Sequence, residues 1–128
     1  MTTAPGPCPC GSREAYAGCC GPILDGQRLA ATAEQLMRSR YTAFALGDEG
    51  HLVRTWHPRT RPAQVDLDDT EWTGLTVVAS HAGGAEDAEG TVEFVARWRR
   101  GGRSGRMHEV SRFSRRAGRW LYVDGDHD

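Results

Sequence analysis

The chain has no lysine: all sixteen of its basic residues are arginine. It has no cysteine after Cys20, so the last 108 of its 128 residues cannot form a disulfide or a thiolate metal site. No apolar run approaches the roughly 20 residues that span a bilayer, so no membrane helix is expected. Residues 1–30 lack the apolar stretch of a secretory signal, which predicts a cytoplasmic, reducing location. Seventeen acidic residues balance the arginines to a net charge of −1, which argues against a general nucleic-acid binder. Nine arginines crowd between Arg97 and Arg119, where strand edges and outer faces would carry them in solvent.

What the chain does have is concentrated at its start. Cys8, Cys10, Cys19 and Cys20 form a C-x-C-x8-C-C cluster, closed by a Gly11-Ser12 turn and faced by Tyr16. Four thiolates converging on one ion make a closed, structural zinc site. Two cross-linked disulfides such as Cys8–Cys19 with Cys10–Cys20 are the rival reading. A bridge between adjacent cysteines is strained, and a reducing compartment disfavours both. No C-x-x-C redox pair is present.

Beyond a loose tail over residues 1–7 and the knuckle over 8–22, residues 23–31 read as a connector. Thr32-Ala33-Glu34-Gln35 has the spacing of a helix-opening capping box, and Gly47 stops that helix. A shorter helix runs from Asp48 to about Trp56, with Pro58 beyond it. Residues 71–80, 90–100, 106–115 and 119–124 are strand-like and separated by glycine turns. Short connections make the sheet antiparallel, giving an α+β fold of two helices and about four strands.

On the first helix Ala33, Leu36, Met37 and Phe44 share a face, with Arg40 in its middle and Arg38 turned towards solvent. A core-facing arginine requires acceptors. Alternation along the strands offers Glu109 as the first partner and Asp124 as the second. Trp56 and His57, at the end of the second helix, complete a candidate binding pocket with Arg40, Glu109 and Asp124. Trp56 reads as a core plug, and His57 as a helix cap or, less simply, an acid/base group.

The cysteine spacing resembles the SEC-C zinc-binding motif, with Cys8, Cys10, Cys19 and Cys20 as its ligands. The stretches Leu36-Met37-Arg38-Ser39-Arg40-Tyr41, Thr55-Trp56-His57-Pro58, Val92-Glu93-Phe94-Val95-Ala96-Arg97 and Trp120-Leu121-Tyr122-Val123-Asp124-Gly125 resemble the YchJ-like family. These are uncharacterised bacterial proteins that join a SEC-C knuckle to a nuclear-transport-factor-2-like domain. The resemblance implies a tail and knuckle over residues 1–22 and a cone-shaped (cystatin-like) α+β roll over 23–128. It carries no established activity, and the fold alone decides none. The leading expectation is an adaptor that contacts a protein partner through a structural Zn2+ knuckle and holds a small anionic ligand or peptide in its cone. The alternative is an enzyme acting on a small anionic metabolite there. Folds of this type also dimerise through the sheet, so a homodimer is a further expectation.

Overall fold

The computed structural model describes residues 6–65 and 67–127. The tail expected over residues 1–7 therefore falls largely outside the described residues. The cysteine-rich segment opens with a bridge between Pro7 and Ala15, continues into a 3-10 turn over Tyr16–Gly18, and ends in helix α1, Cys20–Leu24. Helix α2 runs over Ala33–Leu46 and α3 over Glu49–Arg54. Strands β1 (Glu71–Ala82), β2 (Glu89–Arg100), β3 (Arg103–Arg116) and β4 (Arg119–His127) form one antiparallel sheet in the order β1-β2-β3-β4.

Local chemistry sets these boundaries. The Thr32 hydroxyl accepts from the Gln35 amide at 3.1 Å, satisfying one of the donors left free at the start of α2. Gly47 ends the helix in the left-handed region, with φ of 79°, and its amide donates to the Ala43 carbonyl. Asp48 caps α3 by accepting from the His51 amide. The β2–β3 and β3–β4 hairpins turn on Gly101-Gly102 and Ala117-Gly118, with positive φ at both central residues. That pair of conformations matches the twist of a tight hairpin.

Helix α2 is buried along much of its length, and each flank has a different neighbour. Met37, Arg40, Tyr41 and Phe44 face the sheet. Ser39 faces α3, bonding His51 at 2.9 Å. Thr42 faces the cysteine cluster, with its hydroxyl 3.8 Å from the Cys8 sulfur. Arg38, expected towards solvent, reaches across to the cluster and donates to the Cys10 carbonyl at 2.7 Å, while Glu34 pairs with it one turn back.

Candidate metal centre and ligand cavity

The four cysteines converge although they come from two stretches of chain. Their sulfurs all lie within 4.8 Å of one another. Cys8, Cys10 and Cys20 are buried and Cys19 is half-buried; all four are free thiols. Cys10 and Cys19 Sγ stand 3.7 Å apart, far beyond the ~2.05 Å of a disulfide bond. Hydroxyls surround the sulfurs: Ser12 Oγ lies 3.2 Å from Cys19 Sγ and Thr42 Oγ1 lies near Cys8. Tyr16 packs closely beside Gly21, where an added Cβ would fall 2.8 Å from the Tyr16 carbonyl oxygen.

Crowding splits the thiols. Hydrogen bonds from Cys20 and Cys8 push the Cys10 thiol far down, while hydrogen bonds to Cys10 and Cys8, and then burial, push Cys20 up. Four such thiols cannot all ionise at this spacing without a cation between them. The cluster is thus compatible with metal binding.

A second site lies between α2 and the concave face of the sheet. It encloses about 320 Å3 and is lined by Tyr41, Phe44, Trp56, Trp72, Phe94, Phe113 and Tyr122, with Met37 and Met107. Into this apolar wall the fold places two charged side chains, Arg40 and Glu109.

Arg40 is 6 % exposed. Its guanidinium stacks against Tyr122 at 4.6 Å and Trp56 at 4.9 Å, both measured to the ring centroid. It donates to the Leu52 carbonyl at 2.9 Å and the Thr55 hydroxyl at 2.8 Å. Leu52 lies in the last turn of α3, where carbonyls have no partner within the helix. Arg40 therefore caps a helix end instead of forming the expected pair with Glu109. Among the described residues it makes no ion pair. Burial pulls its guanidinium down to about 10, so it remains charged at neutral pH.

Glu109 is equally buried but well supplied with donors. Its Oε2 accepts from the Ser111 hydroxyl at 2.5 Å and the Tyr122 hydroxyl at 3.1 Å. His127 Nε2 lies 2.7 Å from Oε1. His127, which has no suggestive spacing in the sequence, thus belongs to the cavity wall.

Of the five pocket residues expected from the sequence, the structure brings Arg40, Trp56 and Glu109 together and leaves His57 and Asp124 outside. Asp124 turns outward because β4 carries a bulge. Arg112 pairs with Asp124, but the next residue, Phe113, pairs with Tyr122. The extra residue reverses the alternation, so Gly125 and His127 take the inward positions opposite Ser111 and Glu109. Asp124 instead meets Arg112 on the outer face at 2.5 Å. His57 turns outward for a related reason. Residues 55–57 pair with β4: the Tyr122 amide donates to Thr55 and the His57 amide donates to Tyr122, both at 2.8 Å. Neighbouring side chains of an extended segment point to opposite sides, so Trp56 enters the cavity and His57 leaves it. His57 caps no helix; its Nδ1 accepts from the Arg59 amide in the following turn.

A knuckle of four cysteines fused to a cone-shaped α+β domain defines the class: a SEC-C motif joined to a nuclear-transport-factor-2-like domain. The family model for the middle, NTF2-like domain of YchJ matches residues 32–125. A UPF0225 protein of Streptomyces coelicolor is 52 % identical, with 94 % of each chain covered. One from Chromobacterium violaceum is 54 % identical, over 92 % of this chain and 90 % of its own. The solution structure of a SEC-C motif containing protein from Rhodopseudomonas palustris superposes with a TM-score of 0.83 at 41 % identity, covering 94 % of this chain and 97 % of that one. A SEC-C motif protein from Psychrobacter arcticus gives 0.76 at 30 % identity, covering 92 % and 80 %. The chain belongs to the YchJ-like, UPF0225 family, whose members are uncharacterised.

Proposed function

We propose that this chain is a cytoplasmic binding protein with three parts: a structural zinc in the knuckle, a small acidic ligand in the cone, and a protein contact at the knuckle end. Zinc is supported by the donor set. Tetrahedral zinc–thiolate bonds of about 2.3 Å put the sulfurs about 3.8 Å apart, against 3.7 Å for Cys10 and Cys19, with all four sulfurs within 4.8 Å of one another. With four thiolates the metal has no open position, so its role is to fold residues 8–20. A reducing cytoplasm keeps such thiols available for metal.

The observation that carries the ligand reading is Arg40: a buried, stacked cation with no carboxylate in salt-bridge contact, in the wall of an aromatic cavity that also holds Glu109. Its two rings fix the guanidinium, and a ligand with a flat apolar body would fill the cone while its carboxylate approached the charge. The test is calorimetry with 3-phenylpropionate and its neutral amide. The acid should bind and the amide should bind at least about tenfold more weakly, because a hydrogen bond to a charged group contributes about 1.5–3 kcal/mol. Arg40→Met should erase the difference. Equal affinity for acid and amide would refute the assignment.

An enzymatic reading is favoured by one observation, the Glu109–His127 contact in the same wall. A carboxylate that fixes one imidazole nitrogen leaves the other able to take a proton from a bound molecule. Deuterium exchange at the acidic carbon of phenylpyruvate, followed by NMR, tests it. Exchange that is faster with the native chain than with His127→Gln supports catalysis, and equal rates exclude it for this probe.

A further inference from the structure

A second cleft, of about 170 Å3, lies where the segment after the knuckle meets the body of the fold. Its floor is apolar, built from Ile23, Leu36 and Trp120. Leu29 stands at its side with 56 % of its surface exposed. Arg28, Arg54 and Arg119 surround it, and no carboxylate lines it among the described residues.

Two of these arginines are held in place by the chain they join. Arg28 donates to the Cys19 carbonyl at 2.9 Å, and Arg54 of α3 donates to the Leu24 carbonyl at 2.8 Å. Each uses one nitrogen for that bond and retains others. Arg119 opens β4 and pairs across the hairpin with a further arginine, Arg116, so its neighbour supplies no countercharge. None of the three forms an ion pair among the described residues. Behind the cleft, His51 is held neutral by burial and then by Arg54 and Arg40, so it adds no charge of its own.

We infer that this cleft docks an acidic peptide segment of a partner protein, its carboxylates on Arg28, Arg54 and Arg119 and one apolar side chain on the Trp120 floor. The inference deepens the protein contact proposed above and is independent of the cone. A peptide fits better than a nucleic acid because the charges ring a small apolar floor instead of following a track. The cleft is also assembled by the knuckle: Ile23 lies in α1, which begins at Cys20, and Arg28, eight residues after Cys20, is tied to the Cys19 carbonyl. Docking therefore depends on the metal.

Fluorescence anisotropy on the full zinc-loaded chain tests this with a labelled synthetic peptide, Glu-Glu-Leu-Glu-Glu, and a control with every Glu replaced by Gln. The acidic peptide should bind and the control should not. Arg119→Glu, an exposed position, should weaken binding by at least about tenfold, with melting and 3-phenylpropionate binding unchanged. Should Arg119→Glu fold poorly, Arg28→Gln replaces it. Stripping the zinc should remove peptide binding. Equal affinity for the two peptides, an unaffected arginine variant, an unaffected stripped protein or tighter binding of a single-stranded RNA pentamer would each overturn the proposal. Loss of 3-phenylpropionate binding alone would count only against the cone.

Discussion

Replacing Gly125 by alanine should damage the fold through Glu109. A Cβ on Gly125 would lie 2.1 Å from Glu109 Oε2, 2.8 Å from its Cδ and 3.0 Å from its Cγ. On a surface the glutamate would swing away at little cost. Here it is 6 % exposed and held by Ser111, Tyr122 and His127. Moving the carboxylate strands those donors; keeping it forces β4 off β3. Overpacking a core costs about 1–3 kcal/mol, and a lost hydrogen bond to a charged group about 1.5–3 kcal/mol. The two overlap, so the expected loss is about 2–4 kcal/mol, or a melting point lower by about 6–16 °C in a domain of this size. Differential scanning calorimetry measures it. The mechanism makes a sharper demand: in the Glu109→Ala background the same alanine should cost less by more than about 1 kcal/mol, because the colliding side chain is gone. An unchanged melting point in the single variant, or strict additivity in the double, would refute this account of the bulge.

Three further outcomes follow from the same geometry. If the cluster holds the proposed zinc, Cys10→Ser should lower the zinc content, read by atomic emission, and should disorder residues 8–22, read as collapsed amide dispersion in NMR. The His51 imidazole, pushed down to about 4 chiefly by burial, should still be neutral at pH 5.5 in an NMR titration. Because its folded value is depressed below the ordinary 6.5, that part of the stability is complete above pH 6.5. About 3 kcal/mol of it is lost as pH falls towards 4, and His51→Gln should flatten that limb. Thr32→Ala should remove the cap on α2 and lower stability by about 1 kcal/mol in urea denaturation.

The sequence shows the regular parts of this fold plainly. The Thr32 capping box, the Gly47 stop and the glycine hairpins are local signals, and each marks an element boundary within a few residues. The cysteine spacing is equally local, so the sulfur cluster is legible without a fold. The cavity is only partly so. Arg40 is recognisable as a core-facing charge, but the acceptors it uses are a helix-end carbonyl and a hydroxyl, groups that no charge pattern reveals. Asp124 and His57 are misplaced by strand alternation because one bulge and one short parallel bridge intervene, and both depend on chain segments distant in sequence. His127 enters the wall through the same bulge. Arg38 and Arg54 tie the knuckle segment to the body, and Arg28 braces the connector on the knuckle, all through backbone carbonyls, which any residue provides, so their partners carry no signature.

Two of these bonds, from Arg38 and Arg54, connect the two candidate sites to one another. Arg38 lies two and three residues before the cavity residues Arg40 and Tyr41 on α2, and holds Cys10. Arg54 closes α3, whose Leu52 carbonyl receives Arg40, and holds Leu24 after the knuckle. Metal loss would release Cys10 and Leu24 together, freeing Arg38 and Arg54 and removing the packing of Thr42 against Cys8. Helix α2, which carries Arg40, and α3, which supplies its acceptors, would then lose the support that the knuckle gives them. The structural zinc proposed above would in this way set the shape of an aromatic cavity it never touches. The fusion of a four-cysteine knuckle to a cone thereby acquires a physical reason: the knuckle completes the outer packing of the two helices that form the cone's cationic wall.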